Sequence, residues 1–222
     1  NLTIWDSVPS VIDMMRAAGE VTAENFSSLR LLTFCGEPLL PEHVSAIFDA
    51  KPDVAVHNTY GPTEATVSCT LVRLYKDMYH SASRGSMAFG GPIQNMDLHL
   101  VDGATPDEGE IVLSGPQVAR GYWNAPELTA EAFVEIDIEG TPTPVYRTGD
   151  WGIRENGHTY FVSRVDRQIK IRGHRVELGE IDKAARDTGL RSACTVFVDH
   201  ALHCFVEGDE PVDFASVRME ME

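Results

Sequence analysis

The apolar positions in the first part of the chain form short runs that alternate between strand-like and helix-like spacing. Short apolar runs bounded by polar or glycine-containing segments are typical of buried strands, whereas apolar positions three or four residues apart are typical of a helix packed on one side. The predicted elements are strands over 2–5, 31–35 and 54–57 and helices over 9–18 and 41–48. In the first helix, Val11, Ile12, Met14 and Met15 are expected on the buried side, with Ser7 as the N-terminal cap. This order predicts a parallel sheet with flanking helices over residues 1–95.

The pattern changes after residue 95, where short strand-like runs are separated by Gly, Asp and Pro turns. Strands are predicted over 97–101, 110–113, 145–146 and 158–162, followed by strands over 168–172, 193–198 and 201–206 and a helix over 178–187. The fold class is therefore α/β. We expect the parallel layer to be followed by a small β-rich subdomain, a distorted barrel, over 96–165. The start of a small α+β C-terminal domain is expected over 166–222.

Composition narrows the classes of function. The chain has 222 residues, 43% of them apolar, and a formal net charge of -16 without any long run of Lys and Arg, so no nucleic-acid partner is expected. No apolar stretch approaches the ~18 residues that span a bilayer, and the first residues lack the basic head and apolar core of a signal peptide. The four cysteines show no C-x-x-C spacing, so neither a zinc site nor a thioredoxin motif is indicated. These features favour a cytoplasmic protein without a membrane partner.

Residues 58–67 combine the side chains that a nucleotide site needs. An apolar strand leads into a Gly-Pro turn that must end it, and such a break leaves backbone N–H groups aimed at whatever lies beyond the strand. Tyr60 offers a flat ring for a base, Thr63 a hydroxyl for phosphate oxygens, and Glu64 a hard oxygen ligand for Mg²⁺. The residues alone are equally consistent with an ordinary strand-to-loop turn that carries a surface glutamate.

The same segment, Asn-Thr-Tyr-Gly-Pro-Thr-Glu-Ala-Thr, resembles the nucleotide-binding motif of amino-acid adenylation domains. These are the activating units of nonribosomal peptide synthetases and of the related D-alanine:carrier-protein ligases, within the adenylate-forming enzyme superfamily. Further segments resemble this family in the family's order: 31–37 (LLTFCGE), 109–124 (GEIVLSGPQVARGYWN), 146–150 (YRTGD) and 163–181 (SRVDRQIKIRGHRVELGEI). The last of them starts with Ser163 where the family usually has Gly. By this resemblance, residues 1–163 correspond to the latter part of a large N-terminal domain and 167–222 to the beginning of a small C-terminal one.

The resemblance implies activation of an amino acid by ATP to aminoacyl-AMP, with release of pyrophosphate, and transfer to the phosphopantetheine thiol of a carrier protein. Mg²⁺ and ATP or AMP are the implied cofactors, and an amino acid and a carrier protein or domain are the implied partners. A standalone D-alanine:carrier-protein ligase and an acyl- or aryl-acid ligase of the same superfamily are alternatives. A third alternative is a non-catalytic fragment, because no Gly/Ser/Thr-rich phosphate loop ending in Lys-Gly and no match to the family's late lysine occur in the chain.

Roles carry over from the resemblance residue by residue. The implied catalytic residues are Thr63, Glu64 and Arg164, with Glu64 also the metal ligand. The implied nucleotide-binding residues are Gly36, Glu37, Asn58, Tyr60, Gly61 and Asp150. Asp150 is expected to hold the ribose, and Asp166 is expected to be the hinge about which the C-terminal domain rotates. The physical alternative for the segment after Asp166 is a charged hairpin exposed to solvent.

The implied substrate pocket consists of Asp6, Thr33, Cys35, Thr59, Val67 and Ser68. These side chains include no large aromatic ring, which favours a small or medium amino acid. Asp6 is equally consistent with a cap on the helix that follows it. Tyr122 and Trp123 are expected as aromatic anchors of the core.

Overall fold

The computed structural model describes residues 2–165, 168–171, 174–198 and 201–208. Its helices are α1 (Ser10–Ala17), α2 (Pro41–Ala50), α3 (Pro126–Ala132) and α4 (Leu178–Asp187), with 3₁₀ turns at Thr63–Ala65 and Tyr79–Ala82. Its strands are β1 (Ile4–Ser7), β2 (Leu31–Phe34), β3 (Ala55–Tyr60), β4 (Thr70–Leu74), β5 (Ser83–Arg84), β6 (Ser86–Met87), β7 (Gly91–Pro92), β8 (Asp97–Val101), β9 (Glu108–Ser114), β10 (Phe133–Ile138), β11 (Thr141–Glu155), β12 (His158–Arg164), β13 (Gln168–Ile171), β14 (His174–Glu177), β15 (Ser192–Val198) and β16 (Ala201–Glu207). Among these described residues, no helix is both long and apolar enough to cross a membrane.

The first sheet has the order β1-β2-β3-β4-β7. Its first three strands run parallel, and β4 returns antiparallel to β3. In register across the sheet, Leu32, Val56 and Leu74 lie side by side on one face and are buried. Residues of α1 and α2 belong to the same core, which explains why the apolar runs of these strands are short and continuous. The predicted α/β layer is confirmed, although β1 starts two residues later than predicted.

The N-terminus of α1 differs from the prediction. Ser7 makes no cap, and the backbone N–H of Ser10 instead donates to a carboxylate oxygen of Glu37 at 2.9 Å. A carboxylate at this end is favoured by the free N–H groups and the helix dipole. Met14 is 63% exposed although Ile12 is fully buried, so the prediction of Met14 on the buried side is wrong. Only a narrow stripe of this short helix contacts the sheet.

The second sheet is antiparallel, with the order β10-β11-β9-β8, and β12 pairs with the last residues of β11, beyond those that pair with β10. The fifteen-residue strand β11 pairs with β10, β12 and β9 along its length, so this one strand connects three other strands of the sheet. Ile111 and Leu113 of β9 are buried in a second core with Phe89 and Met96. The β-rich region after residue 95 is therefore present, and β10, β4 and α3 are elements that the sequence reasoning missed.

The chain divides into two compact units, residues 1–165 and 166–222. In the described part of the second unit, α4 follows the hairpin β13–β14, and the carboxylate of Asp182 on α4 accepts the backbone N–H of Thr195 at 2.5 Å. The predicted hinge, Asp166, lies outside the described residues. The predicted division near residue 95 stays a prediction.

Candidate active site

The segment that ends β3 folds into a tight loop. β3 stops at Tyr60, the chain makes one 3₁₀ turn, and the next two residues, Thr66 and Val67, have left-handed φ values of 59° and 68°. A Cβ on Gly61 would lie 2.5 Å from the carbonyl oxygen of Val67, so only glycine fits at this position. The strand break predicted at Gly61 and Pro62 is confirmed.

Glu64 lies inside this loop and is only 8% exposed. Its Oε1 accepts a hydrogen bond from the hydroxyl of Tyr122 at 2.7 Å, and its backbone carbonyl accepts the N–H of Ala119 at 2.7 Å. The hydroxyl of Thr66 donates to the carbonyl of Gln117 at 2.8 Å. The segment 117–122 therefore holds the loop in place, while Thr63 at its tip is exposed.

Two side chains from other strands, those of Tyr60 and Arg164, meet at Asp150. The hydroxyl of Tyr60 donates to Oδ2 of Asp150 at 2.6 Å, and Nη1 of Arg164 donates to Oδ1 at 2.6 Å. Asp150 on β11 and Arg164 on β12 are direct register partners, and Asp150 is 6% exposed. A buried carboxylate is costly unless it is paired and hydrogen-bonded, and here both of its oxygens have donors. The sequence motifs around Tyr60, Asp150 and Arg164 thus form one cluster.

The tyrosine of this cluster is held neutral. Burial, followed by the negative charge of Asp150, raises the pKa of Tyr60 well above its ordinary value, while Arg164 acts in the opposite direction. The ring of Phe89 stacks against Tyr60 with centroids 4.6 Å apart and an interplanar angle of 29°. Phe89 was missed by the sequence reasoning, because nothing in a lone buried phenylalanine indicates which ring it contacts.

The predicted pocket residues share one region of the first sheet. Asp6, Thr33 and His57 are register partners on adjacent strands, and Cys35 and Thr59 follow two residues further on. Since side chains alternate along a strand, these positions lie on one face. Near the end of β3, the hydroxyls of Thr59 and Ser68 are 3.2 Å apart. Sγ of Cys35, which follows β2, lies 3.6 Å from the carbonyl oxygen of Val67. The loop and two strand ends thus bring the pocket positions together.

Two details of this face were not foreseen. Asp6 is exposed, and α1 has no side-chain cap, so the capping alternative for Asp6 is not what the structure shows. His57 lies on the same face as Thr59, and burial, followed by the charge of Arg73, lowers its pKa. The alternation of β3 was a signal for His57, since a residue two before Thr59 must share its face.

The family of AMP-binding enzymes matches residues 1–123 of the sequence. The chain belongs to this family. Among curated proteins, the D-alanine–D-alanyl carrier protein ligase of Listeria monocytogenes is 37% identical over 202 residues, which is 88% of this chain and 38% of that protein. The sequence resemblance to adenylating enzymes is thereby confirmed. The chain spans less than half the length of the curated relatives it matches.

Solved structures agree with this AMP-binding assignment. A Vibrio cholerae adenylation domain in complex with glycyl-adenosine-5'-phosphate is 30% identical, with a TM-score of 0.83 over 100% of this chain and 44% of that chain. A nonribosomal peptide synthetase protein containing adenylation and PCP domains, bound to a vinylsulfonamide inhibitor, is 25% identical, with a TM-score of 0.82 over 99% of this chain and 39% of that chain. The α/β fold class is thereby confirmed.

Some of the nucleotide-binding candidates of this AMP-binding chain contact the protein itself. The side-chain amide of Asn58 donates to the carbonyl of Ala88 at 2.9 Å and is buried. One carboxylate oxygen of Glu37 is bonded to the start of α1, and Gly36 before it has a left-handed φ of 93°. Their proposed contact with a nucleotide therefore rests on the resemblance alone.

The loop supplies one carboxylate that suits Mg²⁺, but it does not supply a complete set of ligands. Among the residues that the structure describes, no group of three or more His, Cys, Asp or Glu side chains is arranged to hold a metal ion. Mg²⁺ is commonly bound by one or two carboxylates together with substrate phosphates, so the single carboxylate of Glu64 fits this mode. Glu64 would then be the ligand that this chain contributes.

The aromatic pair after residue 121 corrects a prediction. Tyr122 packs edge-on against Phe133, with centroids 5.4 Å apart, and its hydroxyl donates to Glu64. It is half-buried and lies in neither of the two cores described above, so it anchors the loop of Glu64 and not the core as predicted. Trp123 is 92% exposed, so its prediction as a core anchor is wrong.

Proposed function

We propose that this chain is part of an enzyme that activates an amino acid with ATP. An oxygen of the amino-acid carboxylate attacks the α-phosphorus, and the bond to pyrophosphate breaks, giving aminoacyl-AMP. The thiol of a carrier-protein phosphopantetheine then attacks the aminoacyl carbon and releases AMP. The observation that carries the proposal is the cluster of Tyr60, Asp150 and Arg164, which joins the end of β3 in the first sheet to β11 and β12 in the second, across 90 residues of sequence.

This cluster suits a ribose. A carboxylate oxygen can accept more than one hydrogen bond, so Asp150 can keep Tyr60 and Arg164 and also accept the vicinal hydroxyls of a ribose. The Tyr60 ring, backed by Phe89, offers its other face to adenine. Thr63, which is exposed in the loop, would donate to phosphate oxygens. Bound Mg²⁺ would neutralise phosphate charge, and Glu64 would hold it.

The substrate that we propose is a small amino acid. The pocket positions on the first sheet carry hydroxyl, thiol and short apolar side chains, which leave little apolar surface for a large side chain. The Vibrio cholerae adenylation domain, solved with glycyl-adenosine-5'-phosphate, and the D-alanine–D-alanyl carrier protein ligases support this size class. Asp6, at the exposed end of the same face, would contact a polar group of the substrate.

The acceptor that we propose is a carrier protein or carrier domain. The relatives include carrier-protein ligases and a protein that contains adenylation and PCP domains. Rotation of the second unit about Asp166 between the two half-reactions is part of this proposal and rests on the sequence motif. Because the reaction consumes ATP, we place it in the cytoplasm.

ATP–pyrophosphate exchange tests the proposal. The complete polypeptide that contains these 222 residues is assayed with glycine, D-alanine, L-alanine, bulky amino acids, and acetate and propionate as acids without an amino group. We expect exchange with one or more of the small amino acids and none with acetate or propionate. Exchange supported only by acids without an amino group would favour an acyl- or aryl-acid ligase, and no exchange with any substrate would refute the proposal.

A further inference from the structure

The segment of β11 that carries Asp150 departs from regular pairing. Arg147 pairs with Val112 and Trp151 pairs with Glu110, so residues 148–150 lie opposite a single residue of β9. Gly149 within this bulge has a left-handed φ of 71°. A bulge re-aims a side chain but removes the backbone groups of its residues from the ladder, so these groups need other partners.

Side chains supply most of those partners, and the backbone N–H of Val165 donates to the carbonyl of Gly149 at 2.7 Å. The hydroxyl of Thr148 donates to the carbonyl of Ile111 at 2.7 Å and accepts the N–H of Asp150 at 3.0 Å. The N–H of Gly149 donates to Oε1 of Glu110 at 3.0 Å. Glu110 is thus the one side chain of β9 that reaches across to the bulge backbone, among the described contacts. The bond between Glu110 and Gly149 therefore fixes the residue that precedes Asp150, the candidate ribose-binding residue.

Glu110 is itself held in one orientation. It is 7% exposed, and its second oxygen, Oε2, accepts Nε of Arg147 at 2.9 Å and a further bond from Nη2. Nη2 also donates to Asp102 at 2.5 Å. The hydrogen bonds to Glu110 and then to Asp102 raise the pKa of Arg147. A buried carboxylate bound to a fork of guanidinium donors has little rotational freedom, so its other oxygen is aimed at Gly149.

We propose that Glu110 is a positioning residue for nucleotide recognition, holding the bulge in the shape that directs the Asp150 carboxylate at the ribose hydroxyls. This inference rests on the proposed function, in which Asp150 binds ribose. Glu110 touches no nucleotide and acts through Gly149. Loss of its carboxylate would leave the N–H of Gly149 without this acceptor, so the residue before Asp150 would no longer be held in one orientation and the Asp150 carboxylate would be aimed less well.

A comparison of two ligands tests this role without turnover. The dissociation constants of AMP and 2',3'-dideoxy-AMP are measured by calorimetry on the complete polypeptide, and their ratio reports recognition of the ribose hydroxyls alone. In the wild type we expect AMP to bind roughly 10- to 100-fold more tightly, as for hydrogen bonds to a charged acceptor. In Glu110→Gln, the side-chain amide would direct an N–H donor at the Arg147 guanidinium, which is itself a donor, so the side chain would lose its fixed orientation. We expect the ratio to approach about 1 in this variant.

Asp102→Asn is the matched control. It removes the other carboxylate on Arg147 but leaves the bond between Glu110 and Gly149, and asparagine tolerates the left-handed φ of 60° at this position. We expect it to keep the wild-type ratio within about twofold, since exposed ion pairs contribute little. A merely structural role of Glu110 would lower the melting temperature and leave the ratio unchanged.

Asp150→Asn distinguishes an error in the ribose role of Asp150 from an error in the positioning role of Glu110. If it leaves the ratio unchanged, the ribose role of Asp150 is wrong and this inference fails with it. If it abolishes the preference for AMP while Glu110→Gln retains it, only the positioning role is overturned. Should Glu110→Gln not fold, Glu110→Asp keeps the charge beside Arg147 but is one methylene too short to reach Gly149 as well. It is expected to lower the ratio, and an unchanged ratio would overturn the proposal.

Discussion

Replacing Tyr60 with Phe removes one hydroxyl from the Asp150 cluster and keeps the ring that stacks on Phe89. The hydroxyl donates to a nearly buried carboxylate at 2.6 Å, and hydrogen bonds to charged groups contribute about 1.5–3 kcal/mol. Arg164 still pairs with the carboxylate in the variant, so Asp150 does not become an uncompensated charge. We therefore expect the lower end of this range, about 1.5 kcal/mol of unfolding free energy for the first unit.

A double-mutant cycle isolates this bond. Urea unfolding is followed for the wild type, Tyr60→Phe, Asp150→Asn and the double variant, and the coupling between the two positions is expected at about 1–2 kcal/mol. Tyr75→Phe, at an exposed tyrosine, is the control and is expected to change stability by less than about 0.5 kcal/mol. Additivity of the Tyr60 and Asp150 changes within about 0.5 kcal/mol would show that the hydroxyl does not stabilise the carboxylate.

The hydrogen bond between Tyr60 and Asp150 predicts that the free energy of unfolding depends on pH in the alkaline range. Burial and then the Asp150 charge raise the pKa of Tyr60 above its ordinary value of 10.0. A group whose pKa is higher in the folded state contributes its full stabilisation below the unfolded pKa and loses it as the pH rises through the folded pKa. Between pH 10 and 12, the wild type is expected to lose more stability than Tyr60→Phe, and parallel curves for the two proteins would contradict the assignment.

The remaining predictions concern the loop and the surface. Gly61→Ala is expected to destabilise the protein by about 1–3 kcal/mol, measured by urea unfolding, because its Cβ would lie 2.5 Å from the carbonyl oxygen of Val67. Burial raises the pKa of the Cys69 thiol to about 11, so Cys69 is expected to resist a thiol reagent at pH 8, whereas the two exposed cysteines of the C-terminal unit react; equal rates would contradict this. Trp123→Ala is expected to leave the unfolding free energy within about 0.5 kcal/mol, since its side chain is almost wholly exposed, and a larger loss would show that it packs against the protein.

The first sheet could be predicted because its signals are local. Apolar runs predicted β1, β2 and β3, and Gly61 and Pro62 predicted where β3 ends. α3 could not be predicted in this way, because none of its residues is buried and an unburied helix has no apolar stripe. β10 was also missed. The last residues of Phe133–Ile138 alternate between apolar and acidic side chains, and this pattern does indicate a strand.

The candidate site was predictable in its parts but not in its contacts. The resemblance indicated Tyr60, Asp150 and Arg164 separately, whereas the partners that fix them are set by sheet register and by long-range packing. Phe89 and Glu110 belong to this second group. Glu110 sits within a strand motif where a glutamate is expected to face solvent, and only the pairing of β9 with the bulged β11 turns it toward Gly149.

The charges around Asp150 restrict what can bind there. Asp150 and Glu110 are buried carboxylates, and Arg164 and Arg147 each pair with one of them, so the two guanidinium groups are already engaged by carboxylates of the protein. An anion at Asp150 would find no uncompensated positive charge, since Arg164 is already paired there, and it would lose its hydration in a site of low dielectric. A neutral ligand that donates hydrogen bonds, such as a diol, meets no such penalty. We therefore expect the ribose hydroxyls at Asp150 within β11 of the second sheet and the phosphates at the loop of Thr63, which follows β3 of the first sheet.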